Sequence, residues 1–192
     1  MKVNPWEIEA EKKKEFIECA GNIMPESIVN WLFRIGYFIA PAGKTHHGAC
    51  YGGLFDHSYQ FAQELSNMTI KLGLKWQRPE SPVVIGLLHD VCKVNEYNMI
   101  VDESEEKGYR IEGNKKQILT GHGVASVMMI QQYAMKSGDF ILTEEEMMCI
   151  RFHMGAYTDK SEWEFYGRAI EEYPNVLYAH TADMIASQIK GV

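Results

Sequence analysis

Cysteine is scarce in this chain, and what there is lies scattered. Cys19, Cys50, Cys92 and Cys149 form no C-x-x-C pair, which argues against a disulfide framework or a zinc ribbon and fits free buried thiols in a reducing compartment. Basic charge is also short. Against 26 Asp and Glu stand 19 Lys and Arg, for a net charge of −7. Non-specific nucleic-acid binding needs a basic surface, so no extended nucleic-acid partner is expected, although a local basic pocket is compatible with the balance. Long apolar runs are missing. The longest, Trp31 to Ala40, contains Arg34 and is too short to span a bilayer. Met1 to Lys14 is polar and charged, unlike a signal peptide. The expectation is a cytoplasmic protein with no membrane partner. No internal repeat, low-complexity tract or linker divides the sequence, and 192 residues suit one well-buried domain better than two.

What is present centres on Val84-Ile85-Gly86-Leu87-Leu88-His89-Asp90-Val91-Cys92-Lys93. An apolar run here ends in an adjacent His-Asp pair. Burying an ionisable pair is costly unless something binds it, and imidazole beside carboxylate is suited to a divalent cation. Ser81-Pro82 supplies an N-cap and a first-turn proline for this buried helix.

The rest of the chain reads as helices around it. Glu7 to Cys19 forms a charged helix. Pro25 sits in the first turn of a second, through Ile28, Trp31, Leu32 and Ile35. Gly36 to Gly53 is an irregular loop carrying Lys44, His46, His47 and Tyr51, and such loops often line sites. Leu54 to Leu72 is amphipathic, with Phe61, Leu65, Met68 and Leu72 as its stripe and His57 on the same face. Met99 and Val101, then Tyr109 and Ile111, alternate as a small β-hairpin does. Gly121-His122-Gly123 opens a helix with Val124, Val127, Met128 and Ile130. Thr143 to Glu146 is a capping box for a helix carrying Met147, Ile150 and His153. Trp163 to Glu172 is a short helix or turn. Pro174 begins the last helix, to about Ile189, with Asp183 on a face of small apolar residues. The fold class is all-α with a small hairpin insertion. Helices within 1–40 pack on a core formed by 54–190.

Each of His57, His122 and His153 alone is more simply a core histidine satisfied by hydrogen bonds, and Asp183 alone a locally paired carboxylate. Together with His89 and Asp90 they ask for one explanation. So many polar groups inside a small domain cost several kcal/mol unless they share a partner. Neutral imidazoles and ionised carboxylates are what a divalent metal selects.

The order His57, His89-Asp90, Asp183 resembles the H…HD…D pattern of the HD-domain metal-dependent phosphohydrolase superfamily. The resemblance runs from about His46 to Ala186. Supporting it are Gly52-Gly53-Leu54-Phe55-Asp56-His57, His89-Asp90-Val91-Cys92-Lys93 and His180-Thr181-Ala182-Asp183. It implies a helical bundle with His57, His89, Asp90 and Asp183 as ligands of one metal. His122 and His153 look like the extra histidines of the binuclear subset, in which Asp90 would bridge to a second ion. The G-Y-P element of the cyclic-dinucleotide phosphodiesterases is absent. His46-His47 followed by Tyr51-Gly52-Gly53 looks more like the HD domains of the 3′-to-5′ exoribonuclease branch.

The resemblance implies hydrolysis of a phosphate mono- or diester, of a nucleotide or related small molecule, by metal-activated water. Asp90 and Lys93 are the catalytic candidates. Lys93, His46, His47 and Tyr51 are the candidate substrate contacts. One or two ions are expected, from among iron, manganese, zinc, cobalt, nickel and magnesium. Two alternatives share the ligand set: an HD-type di-iron oxygenase, and a non-catalytic nucleotide-binding protein stabilised by its metal. In a mononuclear hydrolase, His122 and His153 would instead meet substrate or act as general acids.

Overall fold

Helix start signals are strong along this chain, and most elements begin where they stand. The computed structural model describes residues 4–45, 48–116, 118 and 121–191. Helix α1, Pro5–Ala20, opens with the Asn4 side chain accepting from the Trp6 amide, as an N-cap does. Helix α2 is Glu26–Arg34, with Pro25 just before it rather than within its first turn. Helix α3, Gly53–Leu72, is followed by α4, Ser81–Leu88. The hairpin is present as β1, Tyr97–Val101, paired antiparallel with β2, Tyr109–Gly113, so that Met99 faces Ile111. Helices α5, His122–Ser137, and α6, Glu144–Arg151, come next, α6 under the expected capping box. Helix α7 is Trp163–Glu172, and α8, Asn175–Met184, continues as a π-helical turn, Ile185–Lys190. The fold is mainly α, with this one two-stranded sheet among the described residues.

Aromatic packing joins the N-terminal helices to the rest. Phe16 of α1 meets Phe38 edge-on at 5.6 Å, and Tyr37 meets Phe55 of α3 at 6.4 Å. All four rings are buried. The Tyr37 hydroxyl donates to the Leu87 carbonyl at 2.6 Å, which anchors the last turn of α4 to this cluster. Helices α3 and α4 lie very close. A Cβ added at Gly86 would stand 2.4 Å from the Ala62 Cα, so only glycine lets α4 approach the α3 backbone there.

Some expected faces differ. Phe61 and Leu65 are buried on α3, but Leu72 is exposed, because that helix outruns the core. On α5 the buried side is Ala125, Ser126, Ile130, Tyr133 and Ala134, and Met128 is exposed. The small residues turned inward because α5 packs tightly on its neighbours, and apolarity alone does not reveal this.

Candidate metal centre

Two helices end in the same way, and those ends build the site. Helix α4 stops at Leu88, and the backbone leaves helical geometry at Asp90 (φ −112°, ψ 20°) for a 3-10 turn, Val91–Asn95. Helix α6 stops at Arg151, with Phe152 at φ −110° and ψ 16°. The sequence reading carried both helices further, through the His-Asp pair and through His153. Helix termini leave carbonyls without intrahelical partners, and imidazoles take them here. His89 Nδ1 donates to the Gly86 carbonyl at 2.8 Å, and His153 Nδ1 to the Ile150 carbonyl at 2.7 Å. A carbonyl only accepts, so these bonds put the proton on Nδ1 and leave each neutral Nε2 with a bare lone pair.

Those lone pairs face acids and another imidazole. His57 Nε2, from α3, is 3.1 Å from His89 Nε2 and 3.1 Å from Asp183 Oδ1, from α8. Asp90 Oδ2 lies 3.3 Å from His89 Nε2 and 3.8 Å from His57 Nε2. Asp90 Oδ1 lies 3.4 Å from His153 Nε2, and neither atom has a hydrogen-bond partner among the described residues. His57, His89, Asp90, His153 and Asp183 are all buried. Carboxylate oxygens and the His89 and His153 lone pairs converging in a buried place are repulsive by themselves and favourable around a cation, and ligating imidazoles characteristically donate their other N–H to a backbone carbonyl. The residues present therefore fit a divalent metal. His57, His89 and Asp90 form one buried group with metal-ligand spacing, and Asp90, Cys92 and His122 form a second.

The electrostatics follow from burial and proximity. Burial pushes the His89 pKa down, against the pull of Asp90. For Asp90 burial acts upward, but the Lys93 ammonium and His89 outweigh it and hold the carboxyl well below the usual range. Asp183 is likewise lowered, to about 2, where burial is overcome by His57 and the other imidazoles. His153 is raised, because Asp90 and Asp183 outweigh its burial.

Lys93 is tied into the site itself. Its Nζ is 2.7 Å from Asp90 Oδ2 and its side chain is largely buried. His122 stands at the first residue of α5, half-buried, with Nδ1 2.9 Å from Glu96 Oε1. A Cβ at Gly123 would come 2.2 Å from the Arg151 carbonyl oxygen, so glycine there lets α5 start against the end of α6. His180 donates from Nδ1 to the His153 carbonyl at 2.8 Å. It supports His153 rather than Asp183, three residues along its own helix.

The group opens into a cavity of about 520 Å³, within the usual range for small-molecule sites. His57, Asp90 and Asp183 line it together with Lys93, Tyr97 and His122. Lys44 and Thr45 border it, as do Tyr157 and Gln188. The candidate contacts His46 and His47 lie outside the described residues. Tyr51 packs against Tyr109 at 4.8 Å and is not among the lining residues. Sequence reasoning missed Glu96, Tyr97 and Gln188. Glu96 lies seven residues after His89, a spacing that carries no signal once the helix gives way to a 3-10 turn.

Comparison of the chain with protein-family models, with curated proteins and with solved structures finds no match in any of the three. No helix among the described residues is long and apolar enough to cross a membrane.

Proposed function

We propose that this protein is a metal-dependent phosphohydrolase of the HD-domain type, acting on a small phosphorylated molecule such as a nucleotide. The observation that carries the reading is the convergence of His57, His89, Asp90 and Asp183 from three helix-bounded segments, with imidazole lone pairs turned toward carboxylates in a buried place. These four residues would hold one divalent ion. His153, His122 and Asp90 would hold a second.

A divalent cation at such a site supplies positive charge for a phosphoryl group and raises the acidity of water. The chain's own residues supply the rest. Lys93, fixed by Asp90 on the cavity wall, presents an ammonium to a phosphate oxygen. Lys44, also on the cavity lining, adds a cation that draws an anionic ligand inward. His122, half-buried beside Glu96, can return a proton to the leaving oxygen where it is not engaged as a ligand. Cavity size favours a mononucleotide-sized ligand over a polymer held along its length.

Purified protein should contain a transition metal and hydrolyse phosphomonoesters or diesters when screened with Mn²⁺, Fe²⁺, Co²⁺ or Mg²⁺. The Asp90→Ala variant should lose both metal and activity. Full activity in that variant overturns the proposal. Iron-dependent oxygen uptake with no phosphate release would replace it with the oxygenase.

A further inference from the structure

The second group around Asp90 contains a sulfur. The 3-10 turn places Cys92 and Glu96 on one side, where Cys92 Sγ donates to Glu96 Oε1 at 3.5 Å. The same oxygen is 2.9 Å from His122 Nδ1. Donor atoms of Asp90, Cys92 and His122 all lie within 4.8 Å of one another. The turn is held against α5 by the Cys92 amide, which donates to the buried Ser126 hydroxyl at 3.2 Å. Independently, Asp90 still has an oxygen to offer. Lys93 takes Oδ2, while Oδ1 accepts no hydrogen bond from the described residues although Asp90 is only 2% exposed.

We infer that Cys92 joins Asp90 and His122 as a ligand of this second ion, making an outer cation position that takes a thiophilic divalent ion, zinc or cobalt, in preference to magnesium or manganese. Thiolate is a soft ligand and selects the former pair, whereas an all-oxygen and imidazole set discriminates less. A tetrahedral ion with bonds of about 2.0–2.3 Å draws its ligands to roughly 3.3–3.8 Å from one another, which asks for a contraction of about an ångström. As the sulfur–metal bond forms, the S–H bond breaks. The proton passes to the Glu96 carboxylate beside it and from there to solvent. No oxidant or reductant takes part. The inference rests on the metal reading of the site and is independent of hydrolysis.

Cobalt reports the thiolate directly. Metal-free protein titrated with Co²⁺ should develop a sulfur-to-cobalt charge-transfer band in the near ultraviolet. The band should be absent in Cys92→Ser and retained in a Cys19→Ser/Cys50→Ser/Cys149→Ser variant, in which Cys92 is the one remaining thiol. It should also persist in His57→Ala, which removes a ligand of the inner ion alone. Loss of an orienting partner alone weakens metal binding about 10- to 100-fold, so His122→Ala should weaken the band-forming ion at least tenfold. Zinc should bleach the band at far lower concentration than magnesium. No band in the wild type, or a band surviving Cys92→Ser, overturns the inference. If Cys92→Ser fails to fold by circular dichroism, loss of the band from the three-serine variant overturns it instead. A band without phosphate release would sink the hydrolase and leave the outer position standing. Phosphate release without a band would do the reverse.

Discussion

At the scale of single residues, His89 and His153 show how a common side chain becomes a ligand. Each spends one nitrogen on a carbonyl of its own helix end, and the other nitrogen has nowhere to point but inward. The raised pKa of His153 has a consequence for metal binding. A cation needs the neutral ring, so protons compete with it. Affinity should fall as pH drops, beginning above the ordinary histidine value of about 6.5. In metal-free protein the sign is opposite: the same upward shift stabilises the fold below the unfolded-state pKa, and that contribution is lost as pH rises through the folded-state value. Metal titrations and chemical denaturation across pH 5.5–8.5 check both directions (roughly spanning the histidine range).

Lys93 invites a second test at this scale. Lys93→Met leaves the ligand set intact but removes the ammonium. A hydrogen bond to a charged group is worth about 1.5–3 kcal/mol, so KM for a phosphate ester should rise by about tenfold or more while metal content stays at the wild-type level. A loss of metal instead would make Lys93 a structural counter-ion of Asp90.

At the scale of elements, one carboxylate ties α4 to α6. Glu146 is fully buried and accepts from Arg78 at 2.6 and 2.7 Å and from the Ser81 hydroxyl at 2.8 Å. It also closes the capping box by accepting from the Thr143 amide at 2.9 Å. The starts of the two helices whose far ends carry His89 and His153 are thus fixed to each other. Arg78→Ala strands that carboxylate in the interior, and breaking such a pair costs about 3 kcal/mol or more. Urea denaturation should show that loss.

The same element scale explains what the sequence could reveal. The capping box and the alternating hairpin residues are local signals, and those elements stand where they place them; Ser81, expected as an N-cap, is instead the first residue of α4, makes no cap bond and gives its hydroxyl to Glu146. His57, the His89-Asp90 pair and Asp183 were legible because polar residues on apolar faces are rare enough to notice. The ends of α4 and α6 were not, because an imidazole that caps its own helix looks in sequence like one more helical residue. Glu96 was one acid among many until the turn brought it beside His122. The inward face of α5 is lined by small residues, and composition does not separate close packing from exposure. The cavity border at Gln188 depends on the π-helical turn, which no sequence pattern announced.

At the scale of the whole molecule, the site is where the described segments meet. Helices α3, α5 and α8, the end of α4 and the turn after α6 each contribute a ligand candidate, so cation binding should stabilise the entire fold rather than one part of it. An ion present at 100 times its Kd adds about 2.7 kcal/mol. Adding Mn²⁺ or Zn²⁺ to metal-free protein should raise Tm by several degrees in a single cooperative transition, and a chelator should reverse the rise. His57→Ala should remove most of the Mn²⁺ response. A transition that splits in two would show that the metal holds only a local unit.

The two self-capping imidazoles carry one more implication, for speed. Their ring planes are set when the backbone folds, so an arriving ion meets nitrogens already aimed and has no rotamer search to wait for. Uptake should then be governed by how fast the ion sheds its water, and different metals should load in the order of their water-exchange rates rather than at one common rate imposed by the polypeptide.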